Sequence, residues 1–222
     1  MAINPFLNLT DKERKIFRKL STPLKIQHFL YSIDYNLEEK GETCYSPRLV
    51  LRYKKANCVE GAIFAAAALC FHGHPPLLGQ LISKEGLDDD HVIALYKKDN
   101  HWGALSKSKY PYLGFREPIH RNLRELTLTY FECYYTYIEG FKSIRGYAKP
   151  LNLIKFNSKA WITSEKNVSY IIRGLQKAPT TKILTPKMIR NLQPVTKLAK
   201  QAGEIWIHKK RIMTYLKKQQ HL

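Results

Sequence analysis

Two residues in this chain have the type and setting for thiol chemistry, Cys58 and His91. Cys58 follows Asn57, a strong helix N-cap, and Glu60 stands at the third helical position, where it can reach back to the cap amide. A cysteine in a first helical turn meets unpaired backbone N–H groups and the positive end of the helix dipole. Both favour a thiolate, and the same N–H groups can hold an oxyanion. Glu60 opposes the thiolate slightly, being a nearby negative charge. His91 comes 33 residues later and heads the apolar run Val92-Ile93-Ala94-Leu95-Tyr96. An imidazole there serves as general base if the strand packs against the helix start. The competing readings are a buried structural cysteine beside Ala-rich packing and a strand-end histidine with no chemistry.

The positioning elements are legible from caps, breakers and periodicity. Gly61 to Phe71 is rich in Ala, which suits close packing against a sheet, and Gly73 with Pro75-Pro76 ends that helix. Strands are predicted over Leu77–Ile82, His91–Tyr96 and His101–Leu105. Their short connections, including a turn at Lys98-Asp99-Asn100, favour an antiparallel meander. Upstream, Thr10 opens an amphipathic stretch to Leu20, and Thr22-Pro23 opens a helix to about Asp34. Downstream, the spacing of Leu123, Leu126, Tyr130, Phe131 and Tyr134 predicts a long aromatic helix over Arg121–Glu139. On that reading Tyr135 and Tyr137 are also helix core. Ser143–Tyr147 and Ile154–Thr163 are expected to return to the sheet. Asn167–Leu175 and Pro186–Lys218 are expected to be helices.

Charge divides the chain. Met1 to Phe141 holds 19 Lys and Arg against 16 Asp and Glu, whereas Lys142 to Leu222 holds 18 against 2. That asymmetry favours an acidic partner, whether nucleic acid, an anionic surface such as lipid, or an acidic protein; a solvated soluble surface is the bland alternative. Lys209-Lys210-Arg211 and Lys217-Lys218 fall among Ile205, Trp206, Ile212 and Leu216, the pattern of a basic amphipathic helix. Cys44, Cys58, Cys70 and Cys133 are too few and scattered for a disulfide framework. With no long apolar run and no basic-then-apolar leader, the expectation is a cytoplasmic protein without a transmembrane segment. Cys70-Phe71-His72-Gly73-His74 lacks the paired spacing of a zinc finger, and Asp88-Asp89-Asp90 reads as a solvated acidic turn.

The order of these pieces resembles the transglutaminase-like, papain-related superfamily, in a bacterial branch. The resemblance rests on Asn57-Cys58-Val59-Glu60-Gly61-Ala62, on Asp89-Asp90-His91-Val92-Ile93-Ala94-Leu95 and on Trp102-Gly103-Ala104-Leu105-Ser106. Flanks at Ile26–Leu30, Ser46-Pro47-Arg48 and Phe115–Pro118 agree, so residues 26–161 are covered.

The resemblance implies an α+β papain/transglutaminase-like core, with a nucleophile helix on an antiparallel sheet. It implies a domain over residues 1–161 and leaves 162–222 as a basic, mainly helical extension. It implies Cys58 as nucleophile and His91 as base. The third position, an Asp in the family, falls on Ser106, which can orient an imidazole but cannot stabilise its cation as a carboxylate does. Ser108, Asn100 and Asp99 are the other candidates, and Asp90 should point to the opposite face of its strand.

Two functions follow as expectations. One is acyl transfer or hydrolysis at amide bonds of a protein or peptide, needing no cofactor. The other is a catalytically degenerate module whose basic C-terminal region binds nucleic acid or another polyanion.

Overall fold

The computed structural model describes residues 4–39, 41–136 and 139–204. Its elements run α1 (Asp11–Lys19), α2 (Pro23–Ser32), β1 (Asp34–Tyr35), α3 (Pro47–Tyr53), β2 (Lys55–Ala56), α4 (Cys58–Phe71) and β3 (Leu77–Ser83). There follow β4 (His91–Lys98), β5 (His101–Leu105), β6 (Arg116–His120), α5 (Leu123–Phe131), β7 (Ile144–Ala148) and β8 (Leu151–Asn152). The described chain ends with α6 (Tyr170–Gln176), β9 (Thr180–Lys182), α7 (Pro186–Arg190) and α8 (Lys197–Glu204).

The fold is α+β. One sheet has the order β6-β5-β4-β3-β7-β9, with β8 also on β3, and every pairing in it is antiparallel. The predicted meander β3–β4–β5 forms its centre. The β4–β5 turn puts Asp99 and Asn100 at φ 48° and 62°, the left-handed geometry of a two-residue hairpin turn. Pro118 lies in β6 at the sheet edge, where a missing N–H costs no ladder bond.

Alternation along β4 builds two cores. Val92, Ala94 and Tyr96 join α4 and the other N-terminal helices on one face. Ile93 and Leu95 join Leu126 and Tyr130 of α5 on the other. Helix α4 is buried nearly all round, which its small residues permit. Gly61 is needed there, because a Cβ would come within 2.4 Å of the Lys107 Cβ.

Several expectations are corrected. The aromatic helix stops at Phe131 rather than continuing to Glu139. Beyond it the chain turns, and Tyr135 bridges Lys142, in keeping with the strand preference of a Tyr-rich segment. Residues 154–163 do not rejoin the sheet. Short β8 gives way to a 3₁₀ helix over Leu153–Lys159, started by the Asn152 side chain accepting from the Ile154 N–H. Strand β9 and helix α3 were not anticipated.

A division of the chain at 161/162 cuts through the core. Trp161, Ile162, Val168, Ile171 and Leu175 share one cluster with the N-terminal helices, and β9 extends the sheet. In the Pro186–Lys218 region α7 and α8 are short helices. The basic helix predicted around Lys209–Lys218 lies outside the described residues, as does Tyr137. Among the described residues, no helix is long and apolar enough to cross a membrane.

Candidate active site

The local signals around Cys58 fold as the residues dictate. Asn57 caps α4 by accepting from the Glu60 N–H at 2.9 Å, and the Glu60 carboxylate accepts from the Asn57 N–H at 2.9 Å. Glu60 is fully buried and does more than close this capping box. Its carboxylate also accepts from the Tyr45 N–H at 2.9 Å, the Thr43 hydroxyl at 2.7 Å and the Asn36 amide at 3.0 Å. A buried carboxylate is tolerable only when its lone pairs are filled. Here they are filled by groups from three chain segments, which are thereby tied to the helix start.

Cys58 and His91 line one cleft of about 480 Å³ at an end of the sheet. The thiol is faced by the N–H groups of Val92, Val59 and Cys58 itself, so the start of β4 lies against the start of α4. Burial nevertheless pushes the Cys58 thiol above its ordinary range. The three N–H groups pull it down, and Asp89 adds a smaller upward push. The thiolate expected from the helix dipole alone is thus outweighed by desolvation.

His91 is 5% exposed. Its Nε2 lies 2.6 Å from the Ser106 hydroxyl oxygen. Burial lowers its pKa to about 4, against the raising effect of a Leu113 backbone group facing the ring; Arg116 lowers it further. The imidazole is therefore neutral at pH 7, the form a general base needs. No hydrogen bond joins Cys58 to His91 among the described residues; burial holds both neutral, a thiol and an imidazole lining one cleft.

Ser106 is fully buried just beyond β5. Gln27 of α2 fixes its backbone with a reciprocal pair. The Gln27 amide donates to the Ser106 carbonyl at 2.8 Å, and its oxygen accepts from the Ser106 N–H at 3.0 Å. The other candidates for the third role fall elsewhere. Asp99 and Asn100 sit at the far end of the hairpin, roughly 25 Å along β4 from His91. Ser108 accepts from the Tyr110 N–H at 3.0 Å. Asp90 turns away, accepting from Gln80 at 2.7 Å and from the Ser83 N–H at 2.7 Å.

Two cleft residues escaped the sequence reading. Tyr134, expected as helix core, stacks obliquely on His91 with ring centroids 6.1 Å apart, and its hydroxyl donates to the Asp89 carbonyl. Tyr35 lines the cleft beside Cys58, and its ring lies 4.8 Å from the Lys109 ammonium. Neither had a usable signal. Tyr134 continued a helical spacing, and Tyr35 sits in a two-residue strand before a polar loop.

The Asp88–Asp90 turn is woven into the fold rather than splayed toward a cation. The Asp88 carboxylate accepts from the Ser143 hydroxyl at 2.6 Å, and burial raises its pKa above the usual carboxylate range. Among the described residues, no three His, Cys, Asp or Glu side chains converge as metal ligands would.

No family model matches this chain, and no curated protein matches it.

Proposed function

We propose that this chain performs acyl transfer or hydrolysis at amide bonds through a Cys58 thiol, on a core of the papain/transglutaminase type. The observation that carries the reading is a single cleft holding Cys58 at a helix start and a neutral, buried His91 whose Nε2 is fixed 2.6 Å from Ser106. In the proposed cycle His91 takes the thiol proton as sulfur bonds to the carbonyl carbon. The C=O π pair moves to oxygen, and the Cys58 N–H steadies that charge. Collapse breaks the bond to the leaving amine, which takes the proton from His91. The thioester then passes its acyl group to water or to an amine. Because both partners rest neutral, proton transfer accompanies attack rather than preceding it. Ser106 is a positioning residue that holds the ring.

The test uses p-nitrophenyl acetate as an acyl donor on the full chain, following release of p-nitrophenolate and acetylation of Cys58 by mass. Wild-type protein should acetylate at Cys58. Undiminished turnover by Cys58→Ala sinks the mechanism.

A second reading is favoured by the charge of the folded C-terminal part. Lys149, Lys155, Lys159, Lys166, Arg173 and Lys177 are all exposed. On this reading the region binds nucleic acid or another polyanion, with or without turnover in the cleft. Affinity for a DNA or RNA probe should then fall by orders of magnitude over a few-fold rise in salt. Equal binding after charge reversal of Lys155, Lys159 and Arg173 in the full chain would exclude it.

A further inference from the structure

We propose that Tyr35 supplies the second hydrogen-bond donor of an oxyanion site whose first donor is the Cys58 amide. This rests on the acyl-transfer reading above.

The geometry comes from the backbone. Tyr35 pairs with Ala56 in the parallel β1–β2 contact, two residues before Cys58. The next residue repeats the tie, because the Asn36 N–H donates to the Ala56 carbonyl at 3.1 Å. The Asn36 side chain and the Asn57 N–H then meet on the same buried Glu60 carboxylate, at 3.0 and 2.9 Å. Strand β1 and the start of α4 are thus one rigid unit. Within it Tyr35 lies beside the first residue of α4, and both Tyr35 and Cys58 open onto the cleft. Lys109 covers the ring at 4.8 Å, which limits where the ring can swing.

The Cys58 N–H and the Tyr35 hydroxyl, held on one unit and opening on one cleft, flank the place where a carbonyl oxygen gains charge once sulfur has attacked. As that charge develops, the phenol O–H turns to the new oxyanion, which the fixed Cys58 N–H also meets. No proton leaves Tyr35. Burial and the adjacent thiol hold its phenol above the ordinary range, so it stays a donor across neutral pH. One backbone N–H is a thin cradle for a full charge, and a second donor in such sites is worth about 10²–10³ in rate.

Tyr35→Phe removes the hydroxyl and keeps the ring. Two rates are read at Cys58 of the full chain: acetylation by p-nitrophenyl acetate, which passes through an oxyanion, and alkylation by iodoacetamide, which does not. The expected result is a roughly 100- to 1,000-fold loss in the acetylation kcat. KM, the alkylation rate and the melting temperature stay near wild type. Equal loss in both rates would reduce Tyr35 to shaping the thiol. An unchanged or faster acetylation would mean that its hydroxyl contributes nothing or blocks the site. Failure of the underlying reading looks different. Wild-type Cys58 would then resist acetylation, or Cys58→Ala would keep full turnover, and the Tyr35 assignment would fall with it.

Discussion

The two walls of the cleft are built by different physics. One wall is the start of α4 with the β4–β5 hairpin, made from a capped helix and alternating strands. The other comprises β1, backed by the loop to Tyr45, and the segment around Tyr134. It has little regular structure and is held by side chains, chiefly the Glu60 carboxylate and the Tyr134 hydroxyl on Asp89. A wall of regular elements draws its stability from burial along its length. A wall of loops concentrates it in a few polar groups that cannot be lost singly.

That contrast can be tested from both sides. On the regular wall, His91→Ala should lower Cys58 acetylation by about 10²–10⁴ while leaving the folded state intact. Loss of folding instead would blur the distinction between the walls. On the loop wall, Glu60→Ala leaves several buried donors without an acceptor, at about 1–3 kcal/mol each before water relieves some of them. A loss on the order of 4 kcal/mol is expected in urea unfolding; a change within 1 kcal/mol would show that the loop wall does not depend on this carboxylate.

His91 also sets a pH dependence. Its folded pKa of about 4 lies below the unfolded value near 6.5, so between those values the unfolded chain binds more protons. Stability therefore rises with pH across that window and is lost as pH falls from 6.5 toward 4, by on the order of 3 kcal/mol. His91→Gln should remove that part of the slope, as read from urea midpoints at pH 4.5 and 7. Gly61→Ala, which presses a Cβ onto Lys107, should cost about 1–3 kcal/mol. The smallest effect is expected from Ser106→Ala. Loss of one neutral hydrogen bond to the ring, worth about 1 kcal/mol, should slow acetylation five- to tenfold without altering iodoacetamide alkylation.

The regular wall was largely legible in the sequence. Asn57 and Glu60 announced the α4 capping box, and the apolar runs announced β3, β4 and β5; Ser106 came from the resemblance alone, as one of several candidates for the third position. The cap and the runs are local signals, each carried within a few residues or one hairpin. The loop wall was not legible, for the converse reason. Glu60 looked like a cap with a mild electrostatic cost, because its other donors lie 15 to 24 residues earlier in the chain. Tyr134 kept a helical period that tertiary contacts overrode. Ile162, Val168 and Ile171 looked like the start of a basic appendage, since charge dominates composition there, yet their apolar side chains complete the first core.

The Asp99-Asn100 turn is fully exposed, the kind of place where chains usually tolerate insertions and deletions. Here exposure misleads. His91 and Ser106 stand at the open ends of the hairpin that this turn closes, in a register that pairs Lys98 with His101 and Ala94 with Leu105. One added residue must be absorbed as a bulge or passed down both strands, and a slip of one turns Ser106 to the opposite face. Length at this surface loop is thus constrained by a histidine roughly 25 Å away, and a lineage free to change the turn's residues is not free to change their number.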